Sequence, residues 1–93
     1  MQRQEIVQLL IHTLTDYFQE QGISADANEQ TPLFGSDSVL DSMGLVNVIV
    51  DIESRLRSNN FDVSLISEQA MSQRNSPFRS VSTLADFILT QQA

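Results

Sequence analysis

A small all-α bundle is the fold class the sequence predicts, and three observations predict it. The chain has 93 residues, enough for one domain spanning residues 1–93 and no more. Its hydrophobic fraction of 41% can supply a single core. Apolar residues recur at helical spacing in two long segments and again near the end of the chain. The expected order is long helix, long loop, long helix, short helix and final helix. That makes a four-helix bundle with three longer helices and one short one.

The first helix is expected over residues 4–21. Ile6, Val7, Leu10, Ile11, Leu14, Tyr17 and Phe18 fall within one arc at 3.6 residues per turn, with only Leu9 astray. Glu5, Gln8, His12, Thr15 and Gln19 take the other side. Gly22 follows as the expected left-handed cap. Residues 23–40 show no sustained period and hold Pro32 and Gly35, so they form a long loop. Ile23, Leu33, Phe34, Val39 and Leu40 punctuate this loop and are expected to pin it on the core.

The second helix is expected over residues 42–57, with Asp41 as its N-cap. Leu45, Val48, Ile49, Ile52 and Leu56 make a core stripe. Met43, Val46 and Val50 form another apolar set, well round the helix from the first. Either the helix is packed on two sides or the surplus stripe is a contact surface. A small bundle has little room for an enclosed helix, which favours the contact surface. Asn59-Asn60 marks a turn, and Phe61, Val63, Leu65 and Ile66 an extended connection. Residues 67–72 suit one or two helical turns capped by Ser67, and residues 73–80 a loop. The last helix starts near Ser82, buries Leu84, Phe87 and Ile88, and has Val81 leading in.

Charge narrows the function. Twelve acidic residues face five arginines, for a net charge of -7. Between Arg3 and Arg55 no Lys or Arg occurs, while nine acids do. Such a chain lacks the basic stripe a nucleic-acid binder needs, and it favours partners with basic surfaces. An equally simple reading is a solvated face that promotes solubility. No apolar run reaches the length of a membrane span, and the N-terminus does not resemble a signal peptide. A soluble, cytoplasmic monomer is expected.

Catalytic chemistry is hard to place. The chain has no cysteine, which excludes disulfides, thiolate metal sites and cysteine nucleophiles. His12, the sole histidine, lies on the polar side of its helix, away from any serine that it would activate. A calcium loop starting at Asp37 would place Val39 and Val48 at ligand positions, so no metal site is expected. The stretch Leu40-Asp41-Ser42-Met43-Gly44 lacks the first glycine of a nucleophile elbow. With three glycines in all, no phosphate-cradling loop forms. The chain is therefore not expected to be an enzyme. Ser42 stands out by position, because unpaired N–H groups and the helix dipole favour an anion at a helix start. It is equally read as an ordinary first-turn residue beside an Asp cap.

Leu40-Asp41-Ser42-Met43 resembles the Asp-Ser-Leu signature of acyl carrier proteins, with Met43 in place of leucine. The similarity extends through Leu33-Phe34-Gly35 and Val39-Leu40-Asp41-Ser42 to the core stripe of the second helix. It continues in Val81-Ser82-Thr83-Leu84-Ala85-Asp86-Phe87-Ile88 and so covers essentially the whole chain. The resemblance implies a bundle of acyl-carrier-protein type. It also implies 4′-phosphopantetheine, transferred from coenzyme A to Ser42 by a separate phosphopantetheinyl transferase, with Asp41 as cap and recognition residue. The arm would supply the thiol that the chain lacks. Met43, Val46, Val50 and Glu53 match positions that carrier proteins turn toward partners. Those partners would be an acyl- or aminoacyl-activating ligase and a downstream acyltransferase or synthase with basic surfaces.

The chain also departs from that pattern. Carriers of fatty-acid synthesis usually hold acids where this chain has Gly44, Asn47 and Ser54, and Arg55 adds positive charge to the helix. Residues 65–80 are longer than the usual connection. Residues 40–44 are similar to D-alanyl and other specialised stand-alone carriers. The leading expectation is an acyl carrier serving a specialised pathway. An aminoacyl carrier loaded by an adenylating ligase, and an unmodified acidic helical adaptor, are the alternatives.

Overall fold

The computed structural model describes residues 2–33, 40, 42–61 and 79–90. Within them the chain is all-helical, with no strand: α1 is Arg3–Gln21, α2 is Ser42–Ser58 and α3 is Val81–Thr90. The expected short helix at 67–72, its flanking connections, the Asp41 cap, Phe34 and Val39 lie outside the described residues.

Helix α1 is the central element and packs against both α2 and α3. Its stripe contributes Ile6, Val7, Leu10, Leu14 and Phe18 to the core, and Tyr17 and Ile11 pack at the margin. Leu9 is not astray after all; it is half-buried against the same cluster. Thr13 shares the buried face although it is polar. Its hydroxyl donates to the Leu9 carbonyl at 2.7 Å, so the group is satisfied inside the helix that carries it.

Both long helices stop by the same device. Gly22 is left-handed at φ 68°, Ile23 N–H donates to Phe18 O at 2.8 Å, and Gly22 N–H to Gln19 O at 3.3 Å. At the end of α2, Asn60 takes the left-handed position at φ 62°. Phe61 N–H donates to Leu56 O at 2.9 Å and Asn60 N–H to Arg57 O at 3.0 Å. These paired bonds are a Schellman motif, which satisfies carbonyls that the helix itself cannot. Asparagine tolerates the left-handed region better than most residues, which is why the Asn-Asn turn ends α2. The residue after each cap then turns back onto the core, with Phe61 buried and Ile23 half-buried.

The long loop is tied down wherever it is described. Asn28 N–H donates to Thr31 Oγ1 at 2.8 Å and Gln30 N–H to Asn28 Oδ1 at 2.8 Å, which makes a tight turn. Beyond it Leu33 and Leu40 are buried. The loop also caps α3, since Val81 N–H donates to Thr31 O at 3.1 Å and Ser82 N–H to Glu29 O at 2.9 Å. Ser80 and Thr83 exchange bonds at the same helix start, Thr83 N–H to Ser80 Oγ at 3.2 Å and Ser80 N–H to Thr83 Oγ1 at 2.9 Å. With Ser80 as the cap, α3 begins at Val81, one residue before the expected start. Val81, Leu84, Ala85 and Ile88 are buried, whereas Phe87, expected in the core, is only half-buried.

Arg3 joins three segments at that corner. Its Nε donates to Asp86 Oδ1 at 2.8 Å, Nη1 to Glu29 Oε1 at 3.1 Å and Nη2 to Ser82 Oγ at 2.7 Å. The hydrogen bonds to Asp86 and Glu29 hold the guanidinium pKa above its ordinary value.

Candidate functional site

Helix α2 carries two apolar faces because its sequence repeats hydrophobic residues on both. At 3.6 residues per turn, Leu45, Val48, Ile49, Ile52 and Leu56 turn toward α1 and are buried. Met43, Val46 and Val50 point the other way and are 73%, 41% and 52% exposed. Of the two readings the sequence allows, packing on two sides does not occur among the described residues. The surplus stripe faces outward, and Glu53 beside it is half-buried.

Ser42 is the first residue of α2. Its place is set by core residues on either side: Leu40 is buried two residues before it, and Leu45 three residues after it. Met43, immediately next to it, is the most exposed large hydrophobic residue among the described residues. The helix start thus lies between two anchors, with exposed Met43 in its first turn. No acidic residue occurs in the first turn of α2, so nothing in that turn opposes the positive end of the helix dipole. The start of a helix favours negative charge through its backbone N–H groups and dipole. Asp41 lies outside the described residues.

Arg55 adds its positive charge to α2, and two carboxylates hold it there. Its Nη2 donates to Asp16 Oδ2 on α1 at 2.9 Å and its Nε to Asp51 Oδ1 on α2 at 3.2 Å. The hydrogen bond that Arg55 donates to Asp16 leads the influences that raise the guanidinium pKa, outweighing the lowering effect of partial burial. The Arg55–Asp51 pair is legible as an i, i+4 spacing. Asp16 is 39 residues away in the chain, and only the packing of α1 on α2 brings it there. These groups line a groove of about 530 Å³ between the end of α1 and α2, together with Tyr17, Glu20 and Asn47. Sequence reasoning missed this groove, since it belongs to neither helix alone.

His12 is exposed on α1 beside Gln8 and Thr15, as its position in the polar arc predicts. Among the described residues no group of three His, Asp or Glu side chains is placed to hold a metal ion. No described helix is long and apolar enough to cross a membrane.

Compared with known proteins, the chain matches no family model, no curated protein and no solved structure.

Proposed function

We propose that the chain is a stand-alone acyl carrier protein of a specialised pathway, modified at Ser42. The observation that carries this reading is the coincidence of Ser42, the first residue of α2, with an outward apolar stripe on the same helix. A residue chosen only to start a helix needs no exposed Met43, Val46 and Val50 beyond it. The resemblance of residues 40–43 to the carrier signature gives the serine its chemistry. The finer architecture, a four-helix bundle of acyl-carrier-protein type, belongs to the same proposal.

In this reading the chain presents and does not catalyse. The start of α2 supplies backbone N–H groups and dipole to the attached phosphate. Buried Leu40 and Leu45 keep that start fixed against the core. When bound, 4′-phosphopantetheine supplies a flexible arm and the thiol on which an acyl group is held as a thioester. Met43, Val46, Val50 and Glu53 offer the contact surface for the transferase, the loading ligase and the enzyme that receives the cargo.

Coexpression with a phosphopantetheinyl transferase, followed by intact-mass measurement, tests the proposal. The expected result is the gain of one phosphopantetheine group in the wild type and none in Ser42→Ala. No gain in the wild type with several transferases would leave the unmodified adaptor as the better reading. Incubation of the modified chain with acyl- and aminoacyl-activating ligases then separates acyl from aminoacyl cargo. The similarity of residues 40–44 to D-alanyl carriers makes that arm worth running.

A further inference from the structure

We infer that Met43 is an oxidation-sensitive modification site, and that conversion of its thioether to the sulfoxide slows the modification of Ser42. The chemistry at sulfur stands by itself, while its consequence for Ser42 rests on the carrier reading.

Three observations single out this side chain. The chain has no cysteine and no tryptophan, so its three methionines are the groups on which mild peroxide acts. Met43 is 73% exposed, so an oxidant reaches its sulfur without the fold opening. It stands in the first turn of α2, next in the chain to Ser42, and begins the outward stripe that Val46 and Val50 continue at helical spacing. Leucine, the residue of the carrier signature, would give that position apolar surface that peroxide leaves alone. Methionine gives a similar apolar surface but adds a polarisable sulfur with a lone pair open to oxidation.

The step is an oxygen-atom transfer with hydrogen peroxide as the oxidant. A sulfur lone pair attacks one peroxide oxygen, so that an S–O bond forms and the O–O bond breaks. The departing hydroxide takes the proton from the transferred oxygen and leaves as water. Sulfur is oxidised by two electrons and peroxide is reduced by the same two. The product is a polar, chiral sulfoxide. At an exposed position its oxygen stays solvated, so the isolated bundle tolerates it. Against a partner's apolar surface the oxygen sheds water without gaining a donor, and the penalty falls on docking alone. Methionine sulfoxide reductases, one for each epimer, reverse the change at the expense of a dithiol and return the oxygen as water.

The experiment treats the purified apo chain with hydrogen peroxide, removes the excess with catalase, and then supplies a phosphopantetheinyl transferase and coenzyme A. Peptide mass mapping locates the added oxygen, and intact mass follows the modification of Ser42. Wild type, Met43→Leu and Met71→Leu are each compared with their own untreated sample, so any effect of the substitution on the basal rate cancels. The map should place an oxygen on Met43, with the melting temperature within about 3 °C of the untreated chain. Peroxide should lower kcat/KM about tenfold in wild type and in Met71→Leu, as expected for one unpaired acceptor at a contact. In Met43→Leu the change should stay below about twofold, as for a surface far from the contact. Reductase treatment should restore the wild type. Conversion of Met71 with Met43 left unoxidised would overturn the assignment of the site. Three outcomes would overturn its link to Ser42 while leaving the carrier reading intact: an unchanged rate in the oxidised wild type, a loss that persists in Met43→Leu, or a loss the reductases do not reverse. Absence of any phosphopantetheine gain in the untreated wild type would instead overturn the carrier reading and that link with it, and the mass map would still decide the site.

Discussion

The two faces of α2 are built from the same kinds of residue and have opposite fates. Leu45, Val48, Ile49, Ile52 and Leu56 are buried against α1, whereas Met43, Val46 and Val50 stand in solvent. Composition does not separate them; valine occurs on both. What separates them is that α1 has one apolar arc and α2 can turn only one side toward it. The outer face thus keeps apolar area exposed at a cost of about 25 cal/mol per Å² relative to burial, a cost that binding a partner would recover. The inner face holds the fold together and the outer face is free to change without undoing it.

The sharpest way to break this comparison is a charge on each face. Ile49→Asp places an unpaired carboxylate in the core and is expected to cost more than about 4 kcal/mol, enough to unfold a small domain. Loss of helical circular dichroism at room temperature would show it. Ile49→Ala removes packing alone and should cost about 2–5 kcal/mol in a denaturant melt. Val46→Asp and Val50→Asp should change stability by no more than about 0.5 kcal/mol, as expected of exposed sites. Under the proposed function they should slow modification of Ser42. If all three aspartates unfold the chain alike, the outer stripe is part of the core and the comparison fails.

A smaller effect sharpens the boundary between α1 and α2. A double-mutant cycle on Arg55→Leu and Asp16→Asn should give a coupling of about 0.5–1 kcal/mol, because both side chains remain partly in water. Their side-chain exposures are 34% and 42%, so salt should reduce the coupling. The sign of its pH dependence follows from the raised guanidinium pKa. Stabilisation through Arg55 is complete below the ordinary guanidinium range and is lost only as pH rises through the raised folded-state value. Melting temperatures on the two sides of neutrality should therefore show no step from this arginine. The smallest effect is expected at the end of α2. Asn60→Gly keeps the left-handed cap and should stay within about 0.5 kcal/mol of wild type, while Asn60→Val should cost about 1–2 kcal/mol.

Much of the local structure was legible because short-range physics decides it. The apolar period placed α1 and α2 to within a residue at each end, and Gly22 marked its cap. The start of α3 was displaced by one residue because Ser80, not a residue nearer the apolar run, pairs with Thr83. Thr13 escaped notice because a hydroxyl reads as polar, yet its bond to Leu9 lets it sit inside. At the candidate site, the start of α2 at Ser42 and the existence of a surplus stripe were readable from the sequence, with its outward orientation only the favoured of two readings. The partners of Arg55 were half legible: Asp51 lies four residues away on the same helix, whereas Asp16 arrives only by packing.

The sequence by itself determined the helices, their stops and the existence of a surplus apolar stripe on α2. It did so because dihedral preferences, caps and periodicity act over a few residues. Only the tertiary structure decided that the second stripe stays exposed, which loop carbonyls cap α3, and where the charges meet. Arg3 reaches Asp86 across 83 positions and Arg55 reaches Asp16 across 39, and no local pattern announces either pair. Packing makes those choices, because burying the larger apolar face of α2 on α1 brings the distant acids to their arginines and leaves the smaller face to the solvent.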